Sequence, residues 1–386
     1  MSETQTSRWM RVGTSDEPDS ALAAKNAVEE ALVGETAALV ILFVSPTYDM
    51  QSVATSANAA AGAPLIGCST SGEIGGGLAG TGRIIAIALG GAGFTARTAY
   101  GSIADGADVA GAAAAQGLIG LEAPHRALIL LTEGLAGRHS EMVRGAYSVA
   151  GVPVTLVGGC AGDDLAMTAT WQIHGGEAFQ GAVVGAALGS EGPMSVGVGH
   201  GWTRSGEPMV VTESDGRRIY RLDDQPALDR YLMRAGVPES DWGDVGAWPA
   251  LMLLAPLALP RPSGEDVRAV LSADPNDRSL ACSDVPHGAL VSLMSGDANT
   301  VIAGTKQACA EAIAGLGCMP PLGFIAFDCA GRRALLGEEG LVGEMADIAE
   351  QVGDVPVGGF YTYGEIARTS GSRGVLSATL VMLALG

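Results

Sequence analysis

Three short apolar runs constrain this chain most: 38–45 (ALVILFVS), 126–132 (RALILLT) and 323–329 (GFIAFDC). None alternates apolar with polar residues, so each reads as a strand buried on both faces, as in a sheet covered by helices. All are far shorter than the roughly 20 residues of a membrane-spanning helix. The longest strongly apolar stretch, Ala247 to Pro260, is also too short and holds Pro249, Pro256 and Pro260. The predicted class is α/β, with mixed sheets covered by helices.

The runs head related units of strand, helix, strand, turn and strand. In the first, residues 19–33 read as a helix with Ala21, Ala24, Val28 and Ala31/Leu32 on one face and Lys25 and Glu29 on another. A small-residue helix over 50–61, a strand over 64–67, the turn CSTSGE and a strand over 83–89 follow the apolar run. In the second, Ser140 is expected to cap a helix ended by Gly151, and strands are expected over 153–159 and 181–189. In the third, a helix over 339–352 stops at Gly353, and 356–366 and 375–386 are extended. Laying Ala63–Ile74 over Val355–Ile366 matches Pro64/Pro356, Gly67/Gly359, Thr70/Thr362, Gly72/Gly364, Glu73/Glu365 and Ile74/Ile366. The central copy brings Gly162-Asp163 to the Gly-Glu position. Such spacing indicates internal duplication, not a solenoid. Between about 190 and 320, residues 193–202 read as a strand and glycine turn. Pro226 opens a helix ended by Gly236, and Thr305 caps another closed by Gly317.

Composition narrows the partners. With 42 acidic and 22 basic residues in 386, the formal charge is −20, which repels phosphate backbones and anionic lipid. No nucleic-acid or membrane partner is expected. The six cysteines form no C-x-x-C, and a chain this long needs no disulfide staples. Residues 1–11 lack a signal-peptide pattern. These features predict a cytoplasmic protein with reduced thiols. The 57 glycines have no three-residue period, which excludes collagen and points to tight turns.

Gly75–Gly80 (GGGLAG) satisfies G-x-G-x-x-G, but a dinucleotide site needs a helix directly after it. A strand begins at Arg83 instead, so a glycine hairpin or loop is expected. No P-loop occurs. No two of the five histidines share a helix at i, i+4, and His139-Ser140-Glu141 has no accompanying P-C-x-x-C. No G-x-S-x-G elbow is present. Cys68 and Cys160, each just after a short strand, are either nucleophiles or small buried thiols. Glu73, Asp163 and Glu365 each follow a strand and a glycine turn. They either hold a cationic ligand at the strand ends or cap backbone N–H groups and fix the turn. His200-Gly201-Trp202 sits between glycines after a strand. Alternation over Phe360–Tyr363 puts Tyr361 and Tyr363 on one face, where they wall a pocket or pack.

The stretches ILFVSP, GCSTSGEI, VGGCAGDD, VGHGWTRSGEPMVVTESDGRRIYRLDDQPALDRYL and GFYTYGEI, in that order, resemble the FIST family of bacterial and archaeal sensory proteins. The resemblance implies an N-terminal helical lead-in over 1–37, a FIST N-like domain over 38–223 and a FIST C-like domain over 224–386. It implies a ligand-sensing role, with amino acids as the proposed ligands. The expected cleft is lined by Cys68, Ser69, Glu73, Cys160, Asp163, His200, Trp202, Tyr361, Tyr363 and Glu365. A subset of the family binds haem and senses nitric oxide; that alternative makes His200 the first candidate axial ligand, ahead of Tyr361, Tyr363 and Cys160. No H-box, GGDEF or coiled-coil run is visible, so the output partner is expected in trans, a histidine kinase or cyclic-di-GMP enzyme. Homodimerisation stays open. The remaining alternative is an enzyme with Cys68 or Cys160 as nucleophile and a carboxylate or His200 as base.

Overall fold

The computed structural model describes residues 7–261, 264–368 and 374–386. The chain builds one pattern three times. The first unit runs β1 (Trp9–Ser15), α1 (Ser20–Leu32), β2 (Ala37–Val44), α2 (Met50–Ala61), β3 (Leu65–Ser69), the hairpin β4 (Glu73–Gly75) and β5 (Leu78–Gly80), and β6 (Ile84–Gly90). The second runs β7 (Phe94–Ser102), α3 (Ala107–Ala114), β8 (His125–Thr132), α4 (His139–Ala150), β9 (Thr155–Cys160), the hairpin β10 (Gln172–His174) and β11 (Glu177–Phe179), and β12 (Ala182–Ser190).

The third begins with β13 (Met194–Gly199) and is interrupted by an insertion. Eight strands form the insertion's sheet: β14 (Thr203–Ser214), β15 (Gly216–Leu222), β16 (Gln225–Pro226), β17 (Leu257–Arg261), β18 (Gly264–Arg268), β19 (Ser272–Ala273), β20 (Leu280–Val285) and β21 (Leu290–Ser295). With α5 (Ala227–Arg234) and α6 (Trp248–Leu254) they enclose their own core. The third unit resumes with α7 (Ala298–Gly315), β22 (Gly323–Cys329), α8 (Ala330–Val352), β23 (Val357–Thr362), the hairpin β24 (Glu365–Ala367) and β25 (Val375–Leu376), and β26 (Leu380–Leu385).

The hairpins are exchanged in a cycle. The three sheets have the orders β1-β6-β2-β3-β10-β11, β7-β12-β8-β9-β24-β25 and β13-β26-β22-β23-β4-β5. Each unit therefore lends its hairpin to another unit's sheet. The third sheet takes strands from both sides of residue 223. Within each sheet only β2/β3, β8/β9 and β22/β23 are parallel.

The apolar runs behave as double-faced strands. Leu39, Ile41 and Phe43 enter a core shared by all three sheets, while Val40, Leu42 and Val44 face α1 and α2. At the centre Phe43 stacks on Phe360 at 4.6 Å, and Phe327 meets both edge-on. Equivalent glycines let the first strand of each unit lie against a helix backbone. A Cβ at Gly13, Gly101 or Gly197 would collide with the carbonyl oxygen of Ala27, Ala110 or Ala308. Small residues along α1, α3 and α7 complete that close approach.

Several sequence expectations need correction. Residues 9–15, inside the expected helical lead-in, form a strand paired with β6. Ser140 caps nothing: its hydroxyl donates to Asp284, and α4 has no side-chain cap. Thr305 lies inside α7, whose cap is Asp297. The helix expected at 339 begins at Ala330, with a break at Gly337. Of the expected glycine hairpin or loop over 75–80, the structure makes a hairpin: Gly76 and Gly77, both at positive φ, form a two-residue turn between β4 and β5.

Candidate functional site at the junction of three turns

The strand exchange brings the turns after β3, β9 and β23 together. Ser71 N–H donates to Tyr361 O at 2.9 Å, and Tyr361 N–H to Gly72 O at 2.8 Å. Cys160 N–H donates to Gly364 O at 2.8 Å, and Tyr363 N–H to Cys160 O at 3.2 Å. Gly162 N–H donates to Ser69 O at 3.0 Å, and Asp164 N–H to Thr70 O at 3.2 Å. Each turn is thus bonded to the other two, at C-terminal ends of parallel strands, where ligands commonly bind in sheets of this kind.

Glu73 and Glu365 are fully buried and play matching parts. Glu73 accepts from the Thr70 hydroxyl and from Arg83 N–H at 3.1 Å. Glu365 accepts from the Thr362 hydroxyl and from Thr379 N–H, both at 3.1 Å. Each ties its turn to the start of the strand that closes its unit. Burial pushes Glu73 up to about 7, against the hydrogen bonds from Thr70 and Arg83. Burial, with Asp328 nearby, holds Glu365 well above the usual carboxylate range. In the second unit Gln172 takes that bracing role, accepting Ala182 N–H at 3.0 Å.

Asp163 is thereby free to organise its own loop. Its carboxylate accepts N–H bonds from Met167 (2.9 Å), Thr168 (2.6 Å) and Ala169 (2.9 Å), and one from the Tyr363 hydroxyl. Burial works against its charge, but these donors outweigh it and hold the group below the usual range. Burial and Asp163 push Tyr363 up to about 12. Asp164, Leu165 and Met167 all adopt left-handed φ, at 53°, 65° and 54°. Such conformations in non-glycine residues store strain and cluster at ligand clamps. Leu165 and Met167 are 51% and 60% exposed, so their apolar side chains stand in solvent above the junction.

Arg333, from the first turn of α8, crosses the junction. One guanidinium nitrogen donates to Ser71 O at 2.8 Å and to Asp164 Oδ1 at 2.7 Å. Its Nε makes no hydrogen bond, and neither does the fully buried Ser71 hydroxyl.

Behind the junction lies a buried ionic cluster. Arg332 donates to Asp328 (2.6 Å), Glu344 (2.7 Å), Thr305 (2.7 Å) and the carbonyls of His200 (3.2 Å) and Val301 (3.1 Å). Tyr361 donates to Glu344 at 3.2 Å. Burial pushes Asp328 up despite Arg332 beside it. On the other side, His139 Nε2 lies 3.1 Å from Glu133 O. Burial disfavours the imidazolium, but Cys160 and Glu133 outweigh it and push His139 up to about 9.

The remaining expected site residues separate. Cys68 is buried in the shared core, and burial raises its thiol well above the usual range. Ser69 donates to Gly162 O at 2.6 Å and accepts Trp171 N–H at 2.9 Å. Trp202 is buried, with its indole N–H on Ala378 O at 2.9 Å. His200 Nδ1 accepts Trp202 N–H at 3.0 Å, and burial lowers its pKa. Tyr361 and Cys160 are fully buried, and Gly201 packs on α7 where a Cβ would strike Thr300. Two surface pockets, one beside Trp9 and Gly91 and one beside Leu259 and His287, border none of these side chains.

The chain matches the FIST N domain model over residues 38–225 and the FIST C domain model over 227–368. It belongs to the FIST family. FIST domains are generally thought to be small-ligand-sensing signalling domains. An uncharacterized Mycobacterium tuberculosis protein, found in two strains, is 28% identical over 233 residues, covering 59% of this chain and 60% of that protein. An uncharacterized Methanocaldococcus jannaschii protein is 32% identical over 79 residues, 20% of this chain and 15% of its own. The structure of PurLQS from Thermotoga maritima aligns over 98% of this chain and 72% of its own at 10% identity. Its TM-score is 0.22, at which the likeness carries no argument. No helix among the described residues is long and apolar enough to cross a membrane.

The FIST signature held the turns but not the charged residues around them. Arg332, Arg333, Glu344 and Glu133 escaped the sequence reading, and His139 entered it only as part of an H-x-E motif. The available signal was Asp328, a carboxylate inside a strand otherwise buried and apolar.

Proposed function

We propose that this FIST protein senses an amino-acid-like zwitterion at the junction of the three turns. The supporting observation is the pairing of Arg333 with Asp164 beneath a strained, apolar-tipped loop, beside the Asp163–Tyr363 pair. The Arg333 guanidinium would receive a carboxylate, a group its fork suits. Asp163 and the Tyr363 hydroxyl would receive the ammonium group. Residues 164–168 then act as a lid, closing Leu165 and Met167 over the ligand's side chain and relieving their exposure. Binding favours one lid arrangement over another, and a separate output protein reads the difference.

The test is calorimetric titration with the common amino acids, on the wild type and on Arg333→Ala. A binder should emerge, and Arg333→Ala should weaken it about tenfold or more, as expected for losing a charged contact. Unchanged affinity in Arg333→Ala would move the site elsewhere.

A further inference from the structure

The first strand of each unit, β1, β7 or β13, is the outer strand of its sheet. An outer strand presents unpaired N–H and C=O groups to any extended chain. Two of the three are guarded from the covering helix. Glu30 of α1 accepts Thr14 N–H at 2.6 Å. Glu311 of α7 accepts Val198 N–H at 3.2 Å. Each glutamate stands three residues after the alanine whose carbonyl meets the unit's close-packed glycine: Ala27 against Gly13, and Ala308 against Gly197. In the second unit that alanine is Ala110, against Gly101, and the residue three further on is Ala113, which has no side-chain acceptor. Gln116, which follows α3, turns its amide back to Ala112 O at 3.3 Å.

β7 is thus the unguarded edge, and it is also the longest: nine residues paired to β12 without a shift, against seven in β1 and six in β13. Ile103 N–H donates inward to Gly181 O, so alternation turns the backbone groups of Ala96, Thr98, Tyr100 and Ser102 outward. No strand among the described residues pairs with them, and Thr95, Arg97 and Tyr100 are exposed. The opposite edges of the three sheets, β5, β11 and β25, are only three, three and two residues long. We propose that β7 is a dimerisation edge, pairing antiparallel with β7 of a second copy about a two-fold axis at Thr98. The strand fits itself in that register. All nine residues overlap, Thr98 faces Thr98, and Ala96 faces Tyr100. Arg97, the strand's only charge, faces Ala99 rather than its own copy. Ala96, Thr98 and Tyr100 exchange N–H···O bonds with the second copy, and the two sheets become continuous. The same pairing at β1 or β13 would drive the incoming strand onto Glu30 or Glu311.

The test is sedimentation velocity on the full-length protein at micromolar concentration, joined to hydrogen–deuterium exchange there and at high dilution. The wild type should sediment as a dimer, at twice the 38.8 kDa of the chain. Its amides over 94–102 should exchange faster once dilution dissociates it, while those over 9–15 and 194–199 stay unchanged. Ala113→Glu restores the guard of the other two units and should raise the dissociation constant about tenfold or more. Thr98→Pro removes an outward N–H, leaves the bonds to β12 and should act in the same direction. A monomeric wild type would overturn the proposal and leave the edge to an extended segment of another protein. So would a dimer whose exchange over 94–102 ignores dilution, and neither result needs a variant to fold. Dimerisation of wild-type strength in both variants, each folded by circular dichroism, would overturn it as well.

Discussion

Replacing Glu73 by glutamine should stabilise the protein at neutral and alkaline pH and change it least in acid. Burial raises this carboxyl from an ordinary 4.5 to about 7, so the folded chain keeps its proton over a range where the unfolded chain has lost it. Folding there takes up a proton, and stability falls as pH rises from about 4.5 to 7. Above 7 the penalty is complete: 2.5 pH units at about 1.4 kcal/mol each, or about 3.5 kcal/mol as an upper estimate. Glutamine resembles the protonated carboxyl in shape and charge. It can still accept from Thr70 or Arg83, and it never ionises. Chemical denaturation from pH 4.5 to 8.5 measures the effect. The stability of Glu73→Gln relative to wild type should climb with pH and level off near 8. The difference cancels pH-dependence common to both proteins, including that of Asp328 and Glu365. A difference that is flat, or that falls with pH, would refute the reasoning and mean that Glu73 is ionised in its bracket.

Two further outcomes follow from the packing. Arg332→Met removes the only cation of a fully buried cluster and strands Asp328 and Glu344, so it should destabilise by about 3–5 kcal/mol in calorimetry. A loss under 1 kcal/mol would mean water reaches the cluster. Gly197→Ala forces a methyl group onto the Ala308 carbonyl and should lower stability by about 1–3 kcal/mol, measured by denaturant titration. Little change there would contradict the close approach of β13 and α7.

The triplicate pattern was legible because duplication preserved it. The apolar runs, the Gly-Glu turns and the Gly76-Gly77 hairpin all carry local signals, and the structure bears out the α/β class. The cyclic exchange was not legible: a three-residue strand such as β4 or β24 shows its own hairpin but not which sheet it joins. β1 was missed because Met10 is its only hydrophobic residue fully buried, so little apolar pattern marks it. Gly331 and Gly337 hid the start of α8, and with it the adjacent arginines of opposite fate. Arg332 goes to the core and Arg333 to the junction. Ser140 and Thr305 look like caps in sequence, yet tertiary partners, Asp284 and Glu344, claim both hydroxyls. The acidic turns kept two readings open, and the structure supplies the bracing half in full for Glu73 and Glu365.

The central claim is that the junction of the three turns is the sensing site. Hydrogen–deuterium exchange, with and without a binding amino acid, tests it most directly. The account predicts slower exchange in residues 163–169, with smaller changes at 70–72 and 363–364, and none in the insertion over 203–295. Protection confined to the insertion, with the junction unchanged, would contradict it.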